Sequence, residues 1–498
     1  MGKGRENVVL FPFMAQGHIL PFLVLAQRME RKGYAVTFVN TPLNIKKLRE
    51  SLPPATVAAI RLVGIPFNSS DYGLPPDSED TDSLPYSLSL RLLEASIFLK
   101  LPFKNLLADL IQEQGGERPV CVISDLFFGW AADVAHEFGI FHAIFSITGG
   151  FGMACYCSMW LNLPHKNTDS HEFQLPDFPE AGTFHITQLT PAVLVAGEED
   201  PFTDFQRRNI HTWSDSDALL FNTVEELDKT GLMYFRRKLG VPVWGIGPLL
   251  LPVDNGRAML SPEQCIEWLD KKEPKSVIYI CFGSQNTISA SQMMNLAKAL
   301  DASGRSFIWV VRPPLGFDIN AEFVAEQWLP EGFLQRIQDE ERGLIVCKWA
   351  PQLEILAHKS VAAFISHCGW NSVLESLRSG VPMISWPMAA EQFYNAKLLV
   401  EDVGVCVEVA RGTNFEVRQE DIMEKIELVV GENEKGREIR QKSQEMKEML
   451  RDAVRDEENY RGSSVKAMQE FFVAALTKKE HRQLGKHDQG LISKGTGN

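Results

Sequence analysis

The stretch from residue 349 to residue 392 contains a pattern that suits the binding of phosphate. Residues 362–366 form an apolar run typical of a buried strand, residues 367–370 form a turn with a glycine, and Asn371 or Ser372 is placed to cap a following helix. Where a strand, a glycine turn and a helix meet, free backbone N–H groups and the helix dipole favour an anion. We therefore predict a phosphate site at this junction.

Three side chains in the same stretch supply the other groups that a nucleotide ligand needs. His367 is a donor beside the turn, Glu375 lies one turn into the helix and can accept from a sugar hydroxyl, and Trp349 offers a flat face to a nucleobase. Any one of them alone is better explained by a capped helix beside core aromatic residues. The complete set at these spacings favours a ligand site.

A second candidate group combines His18 with Asp125. His18 follows a strand at residues 8–13, and Asp125 ends a strand at residues 120–124, so both are expected at the carboxyl edge of one parallel sheet. A histidine whose Nδ1 is held by a carboxylate presents Nε2 as a base. A single histidine in a glycine turn is more often structural, and the pattern alone leaves that alternative ahead.

The elements that position these residues alternate between strand and helix along both halves of the chain. With 498 residues, the chain is too long for one core, which rarely exceeds about 250–300 residues. Strands separated by helices predict parallel sheets with right-handed crossovers. The predicted strands are residues 8–13, 35–40, 120–124, 142–147 and 218–222 in the first half, and 276–282, 307–312, 344–348, 362–366, 383–385 and 404–408 in the second.

We therefore predict an α/β fold with two doubly wound, Rossmann-like domains that face each other across a cleft. Residues 1–245 form the first domain, the Gly- and Pro-rich residues 246–262 form the linker, and residues 263–477 form the second domain. The last helix of the second domain is expected to pack back on the first. Residues 478–498 are expected to be a disordered tail.

Composition narrows the function further. The net charge is −14, from 64 acidic and 50 basic residues, so the chain lacks the basic face that nucleic-acid binding requires. Its eight cysteines are scattered, which indicates buried thiols in a reducing compartment. Residues 138–163 are long and apolar, but glycines around residue 150 interrupt them, so we interpret them as a strand, a loop and a helix start. These features predict a cytoplasmic monomer without a membrane span.

The 349–392 stretch resembles the signature box of plant UDP-dependent glycosyltransferases, the family-1 enzymes that glycosylate small secondary metabolites. The resemblance covers nearly the whole chain, from the Gly-His pair at residue 18 to the Gly-Ser-Ser at residues 462–464. It implies the GT-B fold, which is the two-domain architecture already predicted. The matching residues are Trp349-Ala-Pro-Gln352, His367-Cys-Gly-Trp-Asn-Ser372, Glu375, Gly380-Val-Pro382 and Glu391-Gln392.

The resemblance assigns roles to these residues. Trp370 and Gln392 are similar to the residues of glucose users, so UDP-glucose is the expected donor, with other UDP-sugars as alternatives. The expected donor-binding residues, in order from uracil and ribose through the diphosphate to the sugar, are Trp349, Ala350, Gln352, Glu375, His367, Asn371, Ser372, Ser284, Trp370, Glu391 and Gln392.

The resemblance also identifies His18 as the catalytic base and Asp125 as its partner. It implies that His18 takes the proton of an acceptor hydroxyl, and that the oxygen attacks the anomeric carbon from the face opposite UDP to give a β-linked product. No metal and no cofactor are expected. Asp215 and Asp217 match the D-x-D metal motif of other glycosyltransferases, but they precede a strand of the first domain, so we interpret them as a turn and helix cap.

The acceptor is less specified than the donor. Two long loops, at residues 68–85 and 164–182, and nearby apolar residues predict an apolar pocket in the first domain. Such a pocket suits a phenolic, a flavonoid or a terpenoid, and the sequence does not choose between them. A place in the plain core is the competing interpretation, above all for Phe127 and Phe145. The predicted acceptor-binding residues are Met14, Tyr86, Phe145, Phe151, Leu194 and Met388.

Two other functions fit parts of the pattern. A nicotinamide-dependent oxidoreductase would need G-x-G-x-x-G after the first strand, where this chain has Met-Ala-Gln-Gly-His. A non-catalytic protein that binds a UDP-sugar or a metabolite would not need His18 and Asp125, and both are present. Departures from the family pattern at residues 285–287, 359 and 362–363 lie at the edge of the donor site and bear on donor kinetics.

Overall fold

The first domain is organised around one parallel sheet. The computed structural model describes residues 5–85, 88–250, 262–412 and 415–494, with side chains up to residue 481 except at Ser83 and Pro262. Within these ranges the sheet has seven strands in the order β3-β2-β1-β4-β5-β8-β9, and a separate hairpin pairs β6 with β7. The strands are β1 (Asn7–Phe11), β2 (Ala35–Asn40), β3 (Arg61–Gly64), β4 (Cys121–Asp125), β5 (Phe141–Ser146), β6 (Glu172–Gln174), β7 (Thr183–His185), β8 (Ala218–Phe221) and β9 (Val243–Gly245).

Helices cover both faces of this sheet, as buried parallel strands require. Short 3-10 turns at Ser69–Tyr72, Thr81–Ser83 and Ser96–Leu99 interrupt the loops between them. The helices are α1 (Gln16–Arg31), α2 (Pro42–Ser51), α3 (Pro54–Ala59), α4 (Ser89–Ala95), α5 (Lys100–Glu113), α6 (Ala131–Glu137), α7 (Gly150–Asn162), α8 (Pro191–Val195), α9 (Pro201–His211) and α10 (Glu225–Leu239).

The second domain repeats the architecture. Its described part has a six-stranded parallel sheet in the order β12-β11-β10-β13-β14-β15, and β16 and β17 form a small hairpin. The strands are β10 (Val277–Cys281), β11 (Ser306–Val311), β12 (Gly343–Cys347), β13 (Val361–Ser366), β14 (Met383–Ser385), β15 (Cys406–Glu408), β16 (Asp456–Glu457) and β17 (Tyr460–Arg461). The helices are α11 (Pro262–Asp270), α12 (Ala290–Ser303), α13 (Ala325–Trp328), α14 (Phe333–Asp339), α15 (Gln352–Ala357), α16 (Trp370–Ser379), α17 (Gln392–Lys397), α18 (Gln419–Val430), α19 (Glu434–Ala453) and α20 (Ser463–Lys494).

The strand order reverses at one point in each sheet, and these two points define the binding cleft. In the first domain the reversal lies between β1 and β4, and in the second it lies between β10 and β13. Ligands bind beyond the carboxyl ends of strands at such reversals. The predicted α/β class with two Rossmann-like domains is confirmed.

Helix α20 belongs to the second half of the chain but packs on the first domain. The ring of Phe472 stacks on Tyr34 at 4.1 Å, and Phe471 meets Phe141 edge-on at 5.9 Å. Lys478 and Lys479 form ion pairs with Asp217 and Glu6. These contacts hold the helix on the first domain as far as Lys479, and the described helix extends to Lys494, within the stretch from residue 478 for which the sequence predicts a disordered tail.

Two further expectations concern the linker and the apolar stretch. Of the predicted linker, residues 246–250 extend along the first sheet, with Ile246 N–H donating to Phe221 at 2.9 Å, while residues 251–261 lie outside the described part. The apolar residues 138–163 contain β5, a short glycine loop and α7, as predicted. In the part of the chain that the structure describes, we find no helix with the length and apolar character needed to cross a membrane.

Candidate active site

The predicted pair of His18 and Asp125 is assembled at the carboxyl edge of the first sheet. His18 lies in the first turn of α1, which begins at Gln16, and Asp125 is the last residue of β4. Asp125 Oδ2 accepts from His18 Nδ1 at 2.8 Å, and Asp125 Oδ1 accepts from Phe127 N–H at 3.1 Å. Because a carboxylate can only accept, the proton is on Nδ1 and the lone pair is on Nε2.

Aromatic rings surround this histidine. The Phe13 ring lies edge-on to the imidazole, and the Phe127 ring lies tilted against it, each with centroids 5.6 Å apart. Phe127 also reaches toward Phe205 at 6.4 Å. Phe127 is half-buried: it packs against the core on one side and contacts the His18 ring on the other.

Two predicted acceptor residues have contrasting positions in the first domain. Met14 is buried in the same apolar cluster as Phe13, directly before α1. Phe145 is fully buried and meets Phe22 of α1 at 4.9 Å, on the sheet face covered by α1. Phe145 is therefore a core residue, and its assignment to the acceptor pocket is corrected.

The other predicted acceptor residues lie apart from one another. Phe151 begins α7 and packs on Phe178 at 5.6 Å, with 2% of its surface exposed. Leu194 is exposed on α8, and Met388 is buried in the core of the second domain. Tyr86 lies outside the described residues. Of these four residues, none is described in contact with the His18 ring, whereas Phe13 and Phe127 are.

The predicted phosphate junction is formed by the end of β13 and the start of α16. Helix α16 begins at Trp370 with Gly369 as its N-cap, so Asn371 and Ser372 lie in the first turn and do not cap the helix, which corrects the expectation. The carboxyl end of β10 brings Gly283 and the half-buried Ser284 beside it. The backbone N–H groups of this first turn are the donors that an anion requires.

The His367 ring is held between two glycines at this junction. A Cβ added at Gly283 or Gly369 would lie 2.7 or 2.5 Å from its Nε2, closer than real contacts allow. Burial lowers the pKa of His367 to about 4, so the ring is neutral near pH 7. Its buried Nδ1 forms no hydrogen bond of good geometry among the described residues, and the nearby Cys281 backbone opposes the lowered pKa.

A polar network connects the predicted uracil and ribose positions. Gln352 Nε2 donates to Glu375 Oε2 at 2.5 Å and to Ser372 Oγ at 3.0 Å, and Tyr279 donates to Gln352 Oε1 at 3.1 Å. Burial raises the pKa of Glu375 to about 7, although the hydrogen bond from Gln352 lowers it. Trp349 and Ala350 precede Gln352 in the loop after β12, and Trp349 is half-buried, as a stacking platform needs to be.

Two residues of the α16 first turn contact the other domain. Trp370 Nε1 donates to the carbonyl oxygen of Asn222 at 2.6 Å, and a Cβ at Gly149 would lie 2.8 Å from the indole ring. Asn371 Nδ2 donates to the Gly17 carbonyl oxygen at 3.3 Å, next to His18. The indole of Trp370, predicted to contact the sugar, is therefore occupied in joining the two domains.

Glu391 and Gln392 lie where α17 begins. Gln392 Oε1 accepts from the backbone N–H groups of Met388 and Ala389 at 3.0 and 2.9 Å. Its side-chain oxygen therefore stabilises the turn that precedes α17. Burial raises the pKa of Glu391, and His18 is close enough to oppose that shift. Glu391 Oε1 accepts from Asn395 Nδ2 at 3.3 Å, and its side chain lies beside Gly152 of the first domain.

A loop of the first domain also reaches the donor side. Gln285 Nε2 donates to Thr81 Oγ1 at 2.5 Å, and Thr81 N–H donates to the Met14 carbonyl oxygen at 3.1 Å. The long loop at residues 68–85 thus borders the cleft, as its length predicted. The sequence carried no signal for the Gln285 contact, because both partners are common surface residues.

The two carboxylates that resemble a D-x-D metal motif lie away from the donor junction. Asp215 ends a 3-10 turn, and Asp217 pairs with His136 at 3.0 Å and with Lys478 of α20, so neither faces the donor junction and neither caps a helix. Among the described residues, no group of three or more His, Cys, Asp and Glu side chains is arranged to hold a metal ion.

Comparisons with known proteins agree with this geometry. Residues 6–250 match the glycosyltransferase N-terminal domain family, and residues 259–444 match the UDP-glucuronosyl and UDP-glucosyl transferase family. UDP-glycosyltransferase 92A1 of Arabidopsis thaliana is 50% identical over 95% of this chain and 98% of its own length. Crocetin glucosyltransferase 3 of Crocus sativus is 41% identical over 87% of this chain and 92% of its own length.

Similarity to solved structures extends over the same length. The crystal structure of Glycyrrhiza uralensis UGT73P12, complexed with glycyrrhetinic acid 3-O-monoglucuronide, matches with a TM-score of 0.83 at 27% identity. The match covers 99% of this chain and 100% of that one. An identity of 50% along the whole length leaves no room for a different family, and the chain belongs to the plant family-1 UDP-dependent glycosyltransferases of GT-B fold.

Proposed function

We propose that this enzyme transfers glucose from UDP-glucose to a hydroxyl group of a small apolar plant metabolite, with inversion at the anomeric carbon. The observation that carries the proposal is the 2.8 Å contact between His18 Nδ1 and Asp125 Oδ2 at the mouth of the cleft. It fixes the ring so that Nε2 can act as a base. The donor junction on the facing domain supports the rest.

In the proposed reaction two bonds form and two bonds break. The acceptor O–H gives its proton to His18 Nε2, and the oxygen forms a bond to C1 of glucose. The bond between C1 and the diphosphate oxygen breaks on the opposite face, and UDP leaves with that electron pair. Negative charge that grows on the diphosphate is stabilised by the N–H groups at the start of α16 and by His367.

The class of acceptor follows from the walls of the cleft near the base. Phe13 and Phe127 present ring surfaces within 5.6 Å of the imidazole, and such walls favour flat phenolic or terpenoid molecules over polar sugars. The names of the relatives are consistent with a small-molecule acceptor, since one is a crocetin glucosyltransferase. We propose a phenolic, flavonoid or terpenoid hydroxyl, in a cytoplasmic enzyme.

A turnover assay tests this proposal directly. The purified protein is incubated with UDP-glucose and a panel of phenolics, flavonoids and terpenoid alcohols, and products are identified by mass spectrometry, with NMR for the anomeric configuration. Parallel reactions with UDP-galactose and UDP-xylose measure donor preference. We expect β-glucosides and the highest kcat/KM with UDP-glucose. UDP-glucose binding without product from any acceptor would support a non-catalytic binding protein instead.

Removal of the proposed uracil platform should weaken donor binding. In Trp349→Ala the stacked face is lost, and since stacking contributes about 1–3 kcal/mol per base, we expect UDP affinity to fall roughly 5- to 150-fold. Isothermal titration calorimetry with UDP measures it. Trp349→Phe keeps an aromatic face and should lose much less. Trp268→Ala, a half-buried tryptophan on α11, is the matched control, and an equal loss there would show a nonspecific effect.

Donor affinity should also depend on pH through Glu375. Its pKa of about 7 means that the carboxyl is protonated below pH 7, and an ionised carboxylate is the stronger acceptor for ribose hydroxyls. We expect the affinity for UDP-glucose to decrease as pH falls below 7, by up to about tenfold per pH unit. His367, with a pKa of about 4, stays neutral over this range.

The measurement uses UDP-glucose from pH 6 to 8.5, because free UDP has a terminal phosphate that itself titrates near pH 6. Glu375→Gln should bind more weakly than the wild type at pH 8 and show a flat profile. A wild-type affinity that does not change with pH would mean that Glu375 does not contact the donor in its ionised form.

A further inference from the structure

Behind the active site lies a second cavity that is lined by cations. It has a volume of about 470 Å³ and lies at the junction of the two domains, where α1, α16 and α19 meet the 246–250 segment. Five basic side chains line it, and they come from both domains: Arg28, Arg31, Arg378, Lys447 and Arg451. Such a convergence is unusual for a chain with a net charge of −14.

Most of these side chains have no ion-pair partner in direct contact, although Glu375 is near enough to Arg378 for the two charges to interact. Among the described residues, no carboxylate forms an ion pair with Arg28, Arg31, Arg378 or Lys447, whereas Arg451 pairs with Glu448 and Asp452. The Arg28 guanidinium instead donates to the carbonyl oxygens of Ile246 and Pro248, at 3.1 and 2.6 Å. The cavity therefore has a surplus of positive charge.

The Arg28 side chain shows the effect of this surplus. Burial, together with repulsion from Arg378 and Arg31, lowers the pKa of Arg28 to about 10. Like charges that converge without counter-ions oppose one another, and an anion between them removes that cost.

Helix dipoles account for only part of the arrangement. Arg28 and Arg31 lie in the last turn of α1, and Arg378 lies in the last turn of α16, where cations are favoured. Each helix end carries only about half a negative charge, so two ends balance roughly one of the unpaired cations. Structural capping therefore leaves most of the positive charge unexplained.

The remaining walls are apolar. Val24, Pro248, Leu250, Leu450 and Val454 line the same cavity between the charged side chains. A fully hydrated inorganic ion does not benefit from such walls, but an organic molecule with an acidic group does. The two kinds of surface together define the chemistry of the ligand.

We propose that this cavity binds a small organic phosphate, a phosphate monoester with an apolar group, at a site separate from the donor site. The doubly charged head would lie among Arg28, Arg31, Arg378 and Lys447, and the apolar part would lie on the aliphatic walls. Because the cations come from both domains, the bound anion would contact both domains on the side of the molecule opposite His18. The same helices that carry Arg31 and Arg378 carry His18 and the donor junction at their opposite ends, with His18 and Arg31 about 20 Å apart along α1.

The test is a titration of the full chain with phenyl phosphate while UDP is saturating, so that the donor site is occupied. Isothermal titration calorimetry should show one binding site, and the melting temperature should rise with phenyl phosphate. The double variant Arg31→Ala with Lys447→Ala should weaken binding at least tenfold. Both side chains are accessible at the surface, so the variant should fold, which circular dichroism checks.

Control variants and a second ligand complete the experiment. Lys46→Ala with Lys435→Ala removes one exposed lysine from each domain, away from the cavity, and should leave the affinity unchanged. Inorganic phosphate should bind at least fivefold more weakly than phenyl phosphate, and equal affinity would overturn the apolar part of the proposal. Equal binding by both double variants, or no binding at millimolar phenyl phosphate, would overturn the site. Neither result depends on turnover, so the proposed function is tested separately.

Discussion

Replacement of His18 by alanine is expected to reduce glucosyl transfer by about 10²–10⁴-fold, while UDP binding remains. The reason is that the acceptor hydroxyl would lose the base at Nε2, whereas the donor junction lies on the facing domain. Turnover is measured by mass spectrometry of the product, and UDP affinity by calorimetry on the same preparation. Full turnover in His18→Ala would show that another group takes the proton.

Two further variants distinguish a base from a structural histidine. Asp125→Asn presents an amide N–H to the imidazole, which favours the other tautomer and places a proton on Nε2, so a loss of similar order is expected. His136→Ala is the matched control, because His136 forms the same kind of pair with Asp217, at 3.0 Å, on the far side of the sheet. Its turnover should stay near the wild-type value.

Replacement of Gly283 by alanine should cause the second large effect, on donor binding. The residue has φ of +83°, and a Cβ there would lie 2.7 Å from His367 Nε2 and 2.9 Å from Cε1. The imidazole must move, and the space beside the diphosphate is filled. We expect UDP-glucose affinity to fall about 10- to 150-fold, which corresponds to the loss of one charged hydrogen bond at about 1.5–3 kcal/mol.

The control for this variant shares its backbone strain but not its collision. Gly304 ends α12 with φ of +62°, and a Cβ there would meet nothing within 4 Å. Gly304→Ala should therefore lower stability by about 1–2 kcal/mol, as a left-handed non-glycine residue does, and leave donor affinity unchanged. Calorimetry and thermal unfolding of both variants separate the two effects. Equal affinities would show that the diphosphate does not bind beside Gly283.

The fold could be predicted from the sequence because its central strands are apolar runs separated by amphipathic segments. The edge strands β3 and β9 were missed, since they are short and only partly buried, so their sequences lack a continuous apolar run. The start of α1 was also misjudged. Gln16 and Gly17 suggested a turn, but the helix begins there and carries His18 in its first turn.

Most of the proposed donor residues could be named from the sequence because one short stretch contains them, whereas the aromatic residues beside His18 could not. Phe127 and Phe128 are neighbours in sequence, yet Phe128 is fully buried and Phe127 faces His18. Phe145 lies in a strand that is covered on both faces, and periodicity cannot tell which layer such a side chain enters. Which of several equivalent aromatic residues reaches the cleft depends on tertiary packing.

The return of α20 to the first domain has a consequence for how the protein is made. Phe471 and Phe472 complete the apolar core that also contains Tyr34 and Phe141, so this core stays open while the ribosome synthesises the second domain. At about 5–20 residues per second that interval lasts on the order of 10–45 s. A premature stop before these residues would therefore leave the amino-terminal half exposed to chaperones and proteases, although every proposed catalytic and donor residue had already been translated.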